Sequence, residues 1–180
     1  GLNGIRFIAG AALHVEQSRI SRFGAANGNG ILFAPSAASE LYVSDTIISE
    51  NGTGTTGNGI LIQPTGSGSA KVVLSRTNVS NNIVGVKVAN AAGAGAINVV
   101  VANSVVSGNA IHGILVDAAA TGIQVMVDGT TVAHNPNRGV QAFGAAVSTV
   151  RLSNSNITGN GTGTLAVGGG SIVSFGNNRI

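Results

Sequence analysis

The sequence VVVANSVVSGNAIHGILV at residues 99–116 contains the pattern that decides the fold. It combines an alternating apolar pair (Val99 and Val101), an apolar residue five positions later (Val106), and a Gly-Ile-x-Val segment that begins at Gly113. Apolar residues that alternate with a period of two are typical of a strand that buries one face. The stretch therefore predicts three short strands separated by turns.

The same pattern recurs along the whole chain, with 23–31 residues between equivalent positions. The second residue of the alternating pair falls at Val15, Val43, Leu74, Val101, Val127, Leu152 and Phe175. Its partner two residues earlier is Leu13, Leu41, Val72, Val99, Val125, Val150 and Val173. The apolar residue five positions later is Ile20, Ile48, Val79, Val106, Val132, Ile157 and Ile180. The third strand repeats as Ile5/Phe7, Ile31/Phe33, Ile60/Ile62, Val86/Val88, Ile114/Val116, Val140/Ala142 and Leu165/Val167.

A unit of this size cannot bury its own apolar side chains, so neighbouring units must stack and share one core. Strands that repeat in the same register then pair in parallel, and the general preference for right-handed crossovers sets the hand. We therefore predict an all-β fold, a right-handed parallel β-helix solenoid with about seven coils of three short parallel strands. Residues 1–180 are expected to form a single domain. Because the chain starts at Gly1 without a leader, we expect a fragment or processed piece of a longer chain.

Composition limits the partners that the chain can have. Nine Lys and Arg residues stand against six Asp and Glu, but they are scattered and lack interleaved aromatic residues. This arrangement disfavours nucleic-acid binding. No apolar run reaches the roughly 18 residues that a membrane helix needs, so no membrane span is expected.

Stacked coils turn each repeat position into a column of side chains. One such column predicts a ladder of amides that hydrogen-bond from coil to coil, and it consists of Asn51, Asn82, Asn109, Asn135 and Asn160. Most charges also pair by column, which indicates that they set the register rather than catalyse a reaction. The pairs predicted by column are Glu40–Lys71, Asp45–Arg76 and Arg22–Glu50. Two further predicted pairs are the diagonal pair Asp128–Arg151 and the pair Glu16–His14, whose members lie two residues apart.

The repeat, together with LNGIRFIAGAALHVE (2–16) and LYVSDTIISENG (41–52), resembles the right-handed parallel β-helix, or pectate-lyase-like, superfamily. Within it, these segments are similar to the carboxyl-terminal part of uncharacterised secreted bacterial β-helix repeat proteins. The resemblance implies a secreted or cell-surface protein and makes a polysaccharide a candidate partner. It does not select a function, because this superfamily includes lyases, hydrolases, adhesins and tailspikes.

The repeat leaves the outer face of the third strand unexplained. The middle column of that face reads Arg6, Leu32, Leu61, Lys87, Leu115, Gln141 and Ala166. The outward leucines predict packing against a loop, a flanking segment or a second copy of the chain. Enzymes of the superfamily often place their sites on the outside of one sheet. The candidate binding residues on this face are therefore Lys87, His112, Asp117, Arg138 and Gln141, and the alternative is that they are ordinary surface residues.

No motif in the sequence specifies catalysis. The segment GTGTTG at 52–57 fits G-x-G-x-x-G, but a strand follows where a dinucleotide site needs a helix. Asp117 has no acid at the matching position of either neighbouring coil, which disfavours the paired carboxylates of a glycosidase. The three His residues lie in separate columns or distant coils, so neither a zinc site nor a cofactor is predicted.

These observations favour a non-catalytic structural or adhesive module whose candidate ligand is a carbohydrate. One alternative is a polysaccharide lyase-like enzyme or its inactive remnant, suggested by the resemblance and by the polar side chains on the third strand. The other alternative is a self-assembling rod, since neither end of the chain has an apparent cap.

Overall fold

The structure, a computed structural model, describes residues 1–120 and 122–180. Twenty strands form three parallel sheets, and each strand pairs with its equivalent in the neighbouring coils. The prediction of an all-β parallel solenoid with about seven coils and three strands per coil is confirmed. No helix in the described residues is long and apolar enough to cross a membrane.

Each sheet collects one strand from successive coils. Sheet 1 contains β1 (Asn3–Phe7), β4 (Asn29–Phe33), β7 (Asn58–Ile62), β10 (Val84–Ala89), β13 (His112–Ala118), β16 (Arg138–Gly144) and β19 (Thr162–Ala166). Sheet 2 contains β2 (Ala12–Glu16), β5 (Ser39–Ser44), β8 (Ala70–Ser75), β11 (Ile97–Ala102), β14 (Ile123–Asp128), β17 (Ser148–Ser153) and β20 (Gly170–Ser174). Sheet 3 contains β3 (Arg19–Ser21), β6 (Ile47–Ser49), β9 (Asn78–Ser80), β12 (Val105–Ser107), β15 (Thr131–Ala133) and β18 (Asn156–Thr158).

The core runs through the coils as stacked columns of aliphatic side chains. One inward column of sheet 1 is fully buried and consists of Ile31, Ile60, Val86, Ile114 and Val140. Burial of each such side chain contributes about 1.5–3 kcal/mol to folding. Stacking therefore supplies the apolar burial that a single coil lacks.

In the seventh coil, β19 lies one residue out of the predicted register. The repeat places Leu165 and Val167 inward, but Thr164 and Ala166 hold the inward positions and Leu165 takes the outward one. A slip of one residue exchanges the two faces of a strand, so the prediction that Ala166 points outward was also wrong. The cause is Gly163, whose carbonyl oxygen would lie 2.7 Å from a β-carbon on the equivalent glycine of the preceding coil. This close-packed glycine position fixes the frame.

The strand β20 shows the same slip. Ile172 and Ser174 hold the inward positions that the repeat assigns to Val173 and Phe175, and Phe175 is 57% exposed. In the segment Ser-Ile-Val-Ser-Phe (171–175), the alternating pair Val173/Phe175 is apolar, whereas the pair that points inward contains Ser174. A prediction from hydrophobicity alone therefore assigns the wrong face to the core. Ile180, also predicted in the core, is 63% exposed because no described coil covers it.

Two columns of residues turn the chain into and out of sheet 3 with a left-handed backbone. The first column has φ between 47° and 56° and consists of Gln17, Asp45, Arg76, Asn103, Gly129 and Asn154. The second has φ between 55° and 66° and consists of Arg22, Glu50, Asn81, Gly108, His134 and Gly159. Residues other than glycine adopt this conformation at a cost. Hydrogen bonds to the next coil offset that cost, as where the Gln17 N–H donates to the Ser44 carbonyl oxygen at 3.2 Å.

Two ladders of buried side chains hydrogen-bond from coil to coil. The predicted asparagine ladder is confirmed, since the Asn82 N–H donates to Asn109 Oδ1 at 3.0 Å and Asn109 Nδ2 donates to Asn135 Oδ1 at 3.0 Å. A hydroxyl ladder that the sequence analysis did not predict includes the bond from the Thr77 N–H to Ser104 Oγ at 3.1 Å. Both ladders give partners to backbone N–H groups that the turns would otherwise leave buried and unsatisfied.

Candidate binding groove

A groove of about 560 Å³ lies on the outer face of sheet 1. It crosses five successive strands, β1, β4, β7, β10 and β13, and so runs along the axis of the solenoid. Its floor contains the outward leucines Leu32, Leu61 and Leu115, with Lys87 between the last two. Leu115 is only 8% exposed although it points away from the core. The part of the outward column from Leu32 to Leu115 therefore forms the floor of this groove.

A loop of the second coil forms one border of the groove. Thr55 and Thr56 line the groove, and Thr56 Oγ1 donates a hydrogen bond to the carbonyl oxygen of Ala26 in the first coil. Thr53 and Thr56 also form an antiparallel bridge within the loop. The outward leucines thus border a loop of the same chain, which was one of the alternatives that the sequence left open.

A column of glycines brings the strands of sheet 1 close together beside the groove. A β-carbon at Gly85 would lie 2.6 Å from the carbonyl oxygen of Gly113 and 2.6 Å from a side-chain carbon of Val106. Only glycine fits such an approach. The residues just before these glycines, Val84 and His112, line the groove.

The column of residues that directly precede these glycines changes its chemistry from one coil to the next. In the first three coils it is a short amide ladder, in which Asn29 Nδ2 donates to Asn3 Oδ1 at 2.8 Å and Asn58 Nδ2 donates to Asn29 Oδ1 at 2.7 Å. Val84 follows, and then His112 and Arg138 occupy the equivalent positions. The groove therefore has an amide end and a basic end.

His112 is half-buried at the basic end. Burial lowers the pKa of its imidazole, and the positive charges of Arg138 and Lys87 lower it further. The buried His112 Nδ1 and Arg138 Nε atoms have no hydrogen-bond partner in the described part of the chain. An imidazole with a lowered pKa is neutral at pH 7.

The predicted site residues do not all meet in the groove. Lys87 and His112 line it, and Arg138 pairs in register with His112 one strand further on. Gln141 pairs with Leu115 and so continues the floor column beyond the groove. Asp117 lies opposite Ala89 and Phe143, outside the groove, and forms no ion pair with Lys87 in the described residues.

Three of the predicted charge pairs are confirmed: Arg22–Glu50 at 2.8 Å, Arg76–Asp45 at 2.7 Å and Lys71–Glu40 at 3.8 Å. The first two join residues of the left-handed turn columns in neighbouring coils. These contacts fix the register on exposed surfaces.

The other two predicted pairs were wrong. Arg151 donates to Gln124 Oε1 at 2.5 Å, and Asp128 instead accepts a hydrogen bond from the turn residue Asn154 at 3.2 Å. The ring of His14 stacks on Tyr42 with 4.8 Å between ring centres, rather than pairing with Glu16. The alignment of strands placed these residues correctly, but alternative partners in the adjacent coil lie closer.

The groove is lined by apolar, amide, hydroxyl and basic side chains. None of its described lining residues is Asp or Glu. Across residues 1–120 and 122–180, no group of three or more His, Asp or Glu side chains could hold a metal ion. The floor offers apolar contact, the borders offer amides and hydroxyls, and one end offers positive charge.

Comparison with known proteins agrees with this architecture. A family model described as "Right handed beta helix region" matches residues 1–180. No curated protein and no solved structure matches the chain. The family match includes every strand of the three parallel sheets. The chain therefore belongs to the right-handed β-helix family.

Proposed function

We propose that this chain is a non-catalytic β-helix module that binds a polysaccharide along the groove of sheet 1. The supporting observation is a groove that crosses five coils, with an apolar floor and polar borders. Sugar rings present apolar C–H faces surrounded by hydroxyl groups, and a mixed surface of this kind matches both features. Parallel strands repeat at about 4.8 Å, so successive coils offer similar positions to successive parts of a linear polymer.

The borders of the groove are held in place before a ligand arrives. Asn29 and Asn58 are buried and hydrogen-bonded to each other, and Thr56 ties its loop to the preceding coil. Such preorganisation lowers the entropic cost of binding. Gln63 and Asn27 also line the groove and offer amide groups to sugar hydroxyls.

The ionisable side chains that line the groove favour binding of a polysaccharide over its cleavage. Hydrolysis of glycosides generally uses two carboxyl groups that flank the bond to be cleaved. The described lining residues supply none. A secreted or cell-surface location is part of the proposal and is based on the resemblance of residues 2–16 and 41–52.

Isothermal titration calorimetry against a panel of neutral and acidic polysaccharides tests this proposal. Leu61→Ser removes apolar area from the floor, and we expect a loss of affinity of about tenfold for the polysaccharide that binds, as for a central interface residue. The matched control is Val100→Ser, on the outer face of sheet 2. Equal affinity of both variants, or no binding across the panel, would refute the proposal.

A second candidate, a lyase-like enzyme, is favoured by one observation. His112 lies in the groove with a lowered pKa, as a general base at neutral pH would. The test is the absorbance of unsaturated products during incubation with pectin, alginate and glycosaminoglycans. Product formation that disappears in His112→Asn would support the enzyme, and the absence of product would leave the binding module as the better proposal.

A further inference from the structure

We propose that Lys87, His112 and Arg138 form a binding site for a tetrahedral oxyanion, a sulfate or phosphate group, at the basic end of the groove. The proposal goes beyond polysaccharide binding, because it concerns a charged group and a different set of contacts. It is based on three observations: the positions of the side chains, their missing partners and the geometry of the guanidinium group.

The three residues come from three successive strands of sheet 1. His112 on β13 pairs in register with Arg138 on β16, and Lys87 on β10 pairs with Leu115, which is three residues after His112. Lys87 and His112 both line the groove. The strand pairing therefore places the three residues on neighbouring strands around the basic end of the groove.

These basic groups lack acidic partners. The bases Arg22, Lys71 and Arg76 each form an ion pair, whereas Lys87 and Arg138 form none in the described part of the chain. The strands of sheet 1 contain three Lys or Arg residues, Arg6, Lys87 and Arg138, and a single acid, Asp117. Asp117 lies outside the groove, so the excess positive charge at the basic end has no counterpart there.

Two buried nitrogen atoms at this end also lack hydrogen-bond partners in the described residues. In the amide part of the column, the side chains of Asn3, Asn29 and Asn58 bond to one another. At the equivalent positions beyond Val84, His112 Nδ1 and Arg138 Nε are buried without a partner in the described part of the chain. Unsatisfied buried polar groups destabilise a fold. His112 and Arg138 therefore do not continue the structural ladder, which leaves their other ring and guanidinium nitrogen atoms for a ligand.

The position of the Arg138 guanidinium favours a tetrahedral oxyanion over a carboxylate. A planar carboxylate is best bound by two parallel N–H groups of one guanidinium. Arg138 Nη1 already donates to Asn137 Oδ1, and Nε is buried. The cations at this end come from three side chains on three strands, an arrangement that can contact several oxygens of one anion.

Binding of such an anion couples to the protonation of His112. The charged groups that face the ring are Lys87 from β10 and Arg138 from β16, and both oppose its protonation. An anion between them offsets these charges and favours the imidazolium form. We therefore expect anion binding to raise the pKa of His112 and to become tighter as the pH falls.

The test follows the imidazole resonances of the three His residues by NMR during titration with sodium sulfate, phosphate or acetate at constant ionic strength. We expect saturable shifts of His112, and none of His14 or His134, with sulfate and phosphate, and an upward shift of the His112 pKa. The anion with the lower dissociation constant, sulfate or phosphate, indicates which ester group the site prefers. Arg138→Gln should weaken binding about tenfold, because it removes one charge-assisted contact.

The matched control is Arg19→Gln, which removes the same charge on the outer side of sheet 3 and should leave the titration unchanged. Arg138→Lys keeps the charge and provides a second test if Arg138→Gln fails to fold; we expect intermediate affinity. No saturable shift, equal binding of acetate, or equal loss in the Arg19 variant would overturn the proposal. Neutral polysaccharide binding that depends on Leu61 is measured separately, so the two proposals fail independently.

Discussion

Replacement of Asn109 by Leu tests whether the asparagine ladder stabilises the stack of coils. Asn109 is fully buried in the middle of the ladder. Leu has the same branched arrangement of side-chain heavy atoms as Asn, so the substitution removes hydrogen bonds while it keeps the side-chain shape. The variant therefore separates the contribution of the ladder from that of the apolar columns.

The expected magnitude follows from the bonds that would be lost. Asn109 Oδ1 accepts hydrogen bonds from the Asn82 N–H at 3.0 Å and from Asn82 Nδ2 at 3.2 Å. Asn82 Nδ2 retains bonds to the carbonyl oxygens of Ile48 and Ser80, but the Asn82 N–H has no other partner in the described part of the chain. Asn135 Oδ1 retains the bond from the Asn109 N–H. One buried backbone donor is left unsatisfied, which costs about 1–3 kcal/mol.

The measurement is urea-induced unfolding followed by circular dichroism. The matched control is Asn98→Leu, an exposed position on β11, which we expect to change the free energy of unfolding by less than about 0.5 kcal/mol. If Asn109→Leu changed the free energy as little as the control, the reasoning would be refuted, because the ladder would then be a consequence of stacking and not a cause of it.

Three further predictions concern the glycine column, the turn columns and the last coil. Gly85→Ala should destabilise the fold by about 1–3 kcal/mol, because its β-carbon would lie 2.6 Å from the carbonyl oxygen of Gly113 and the backbone would have to move. The pKa of Asp45 is lowered, chiefly by its hydrogen bonds from Arg76 in the next coil. Its stabilising effect should thus be present at neutral pH and lost as the pH falls, and Asp45→Asn should remove that part of the pH dependence of unfolding. Phe175→Ser should cost less than about 0.5 kcal/mol, whereas Leu152→Ala should cost about 2–5 kcal/mol, since only Leu152 is buried.

Each of these predictions has a measurement that can contradict it. For Gly85→Ala the control is Gly24→Ala, whose β-carbon would have its nearest neighbour at an ordinary 3.6 Å, and equal melting temperatures would contradict the steric argument. For Asp45, the free energy of unfolding of the parent chain should approach that of the Asn variant as the pH falls and in high salt. A difference that stayed the same at every pH would contradict the argument. A large loss of stability in Phe175→Ser would contradict the observed register and support the one predicted from hydrophobicity, in which Phe175 lies in the core.

Most of the fold could be predicted from the sequence because the repeat tests each position several times. A single alternating pair is weak evidence, but residues such as Val101 recur with the same spacing to Val106 in every coil. The prediction failed in the seventh coil, where Val173 and Phe175 were assigned to the core. There the frame is fixed by backbone pairing and by Gly163, and an apolar pattern cannot report either constraint.

The groove was only partly predictable for a related reason. The outward leucines and Lys87 could be identified as exceptions to the strand pattern, and His112 and Arg138 could be assigned to one column. The border formed by Thr55 and Thr56 could not, because a loop inserted between strands has no repeat that fixes its position. The hydroxyl ladder was also missed, although Ser or Thr recurs two residues before Ile20 and before its equivalents in the next five coils.

The change along one column links the stability of the solenoid to its proposed function. In the first coils this column satisfies its own polar groups, as the bonds among Asn3, Asn29 and Asn58 show. Asn residues at the fifth and sixth positions, beyond Val84, could bond to each other as Asn29 and Asn58 do. The chain has His112 and Arg138 there, each with a buried nitrogen atom that has no partner in the described residues. Polar groups in a column stabilise the stack only when each has a partner. His112→Asn combined with Arg138→Asn should therefore raise the melting temperature while abolishing the response to sulfate, and a lower melting temperature would show that the two residues serve the fold and not a ligand.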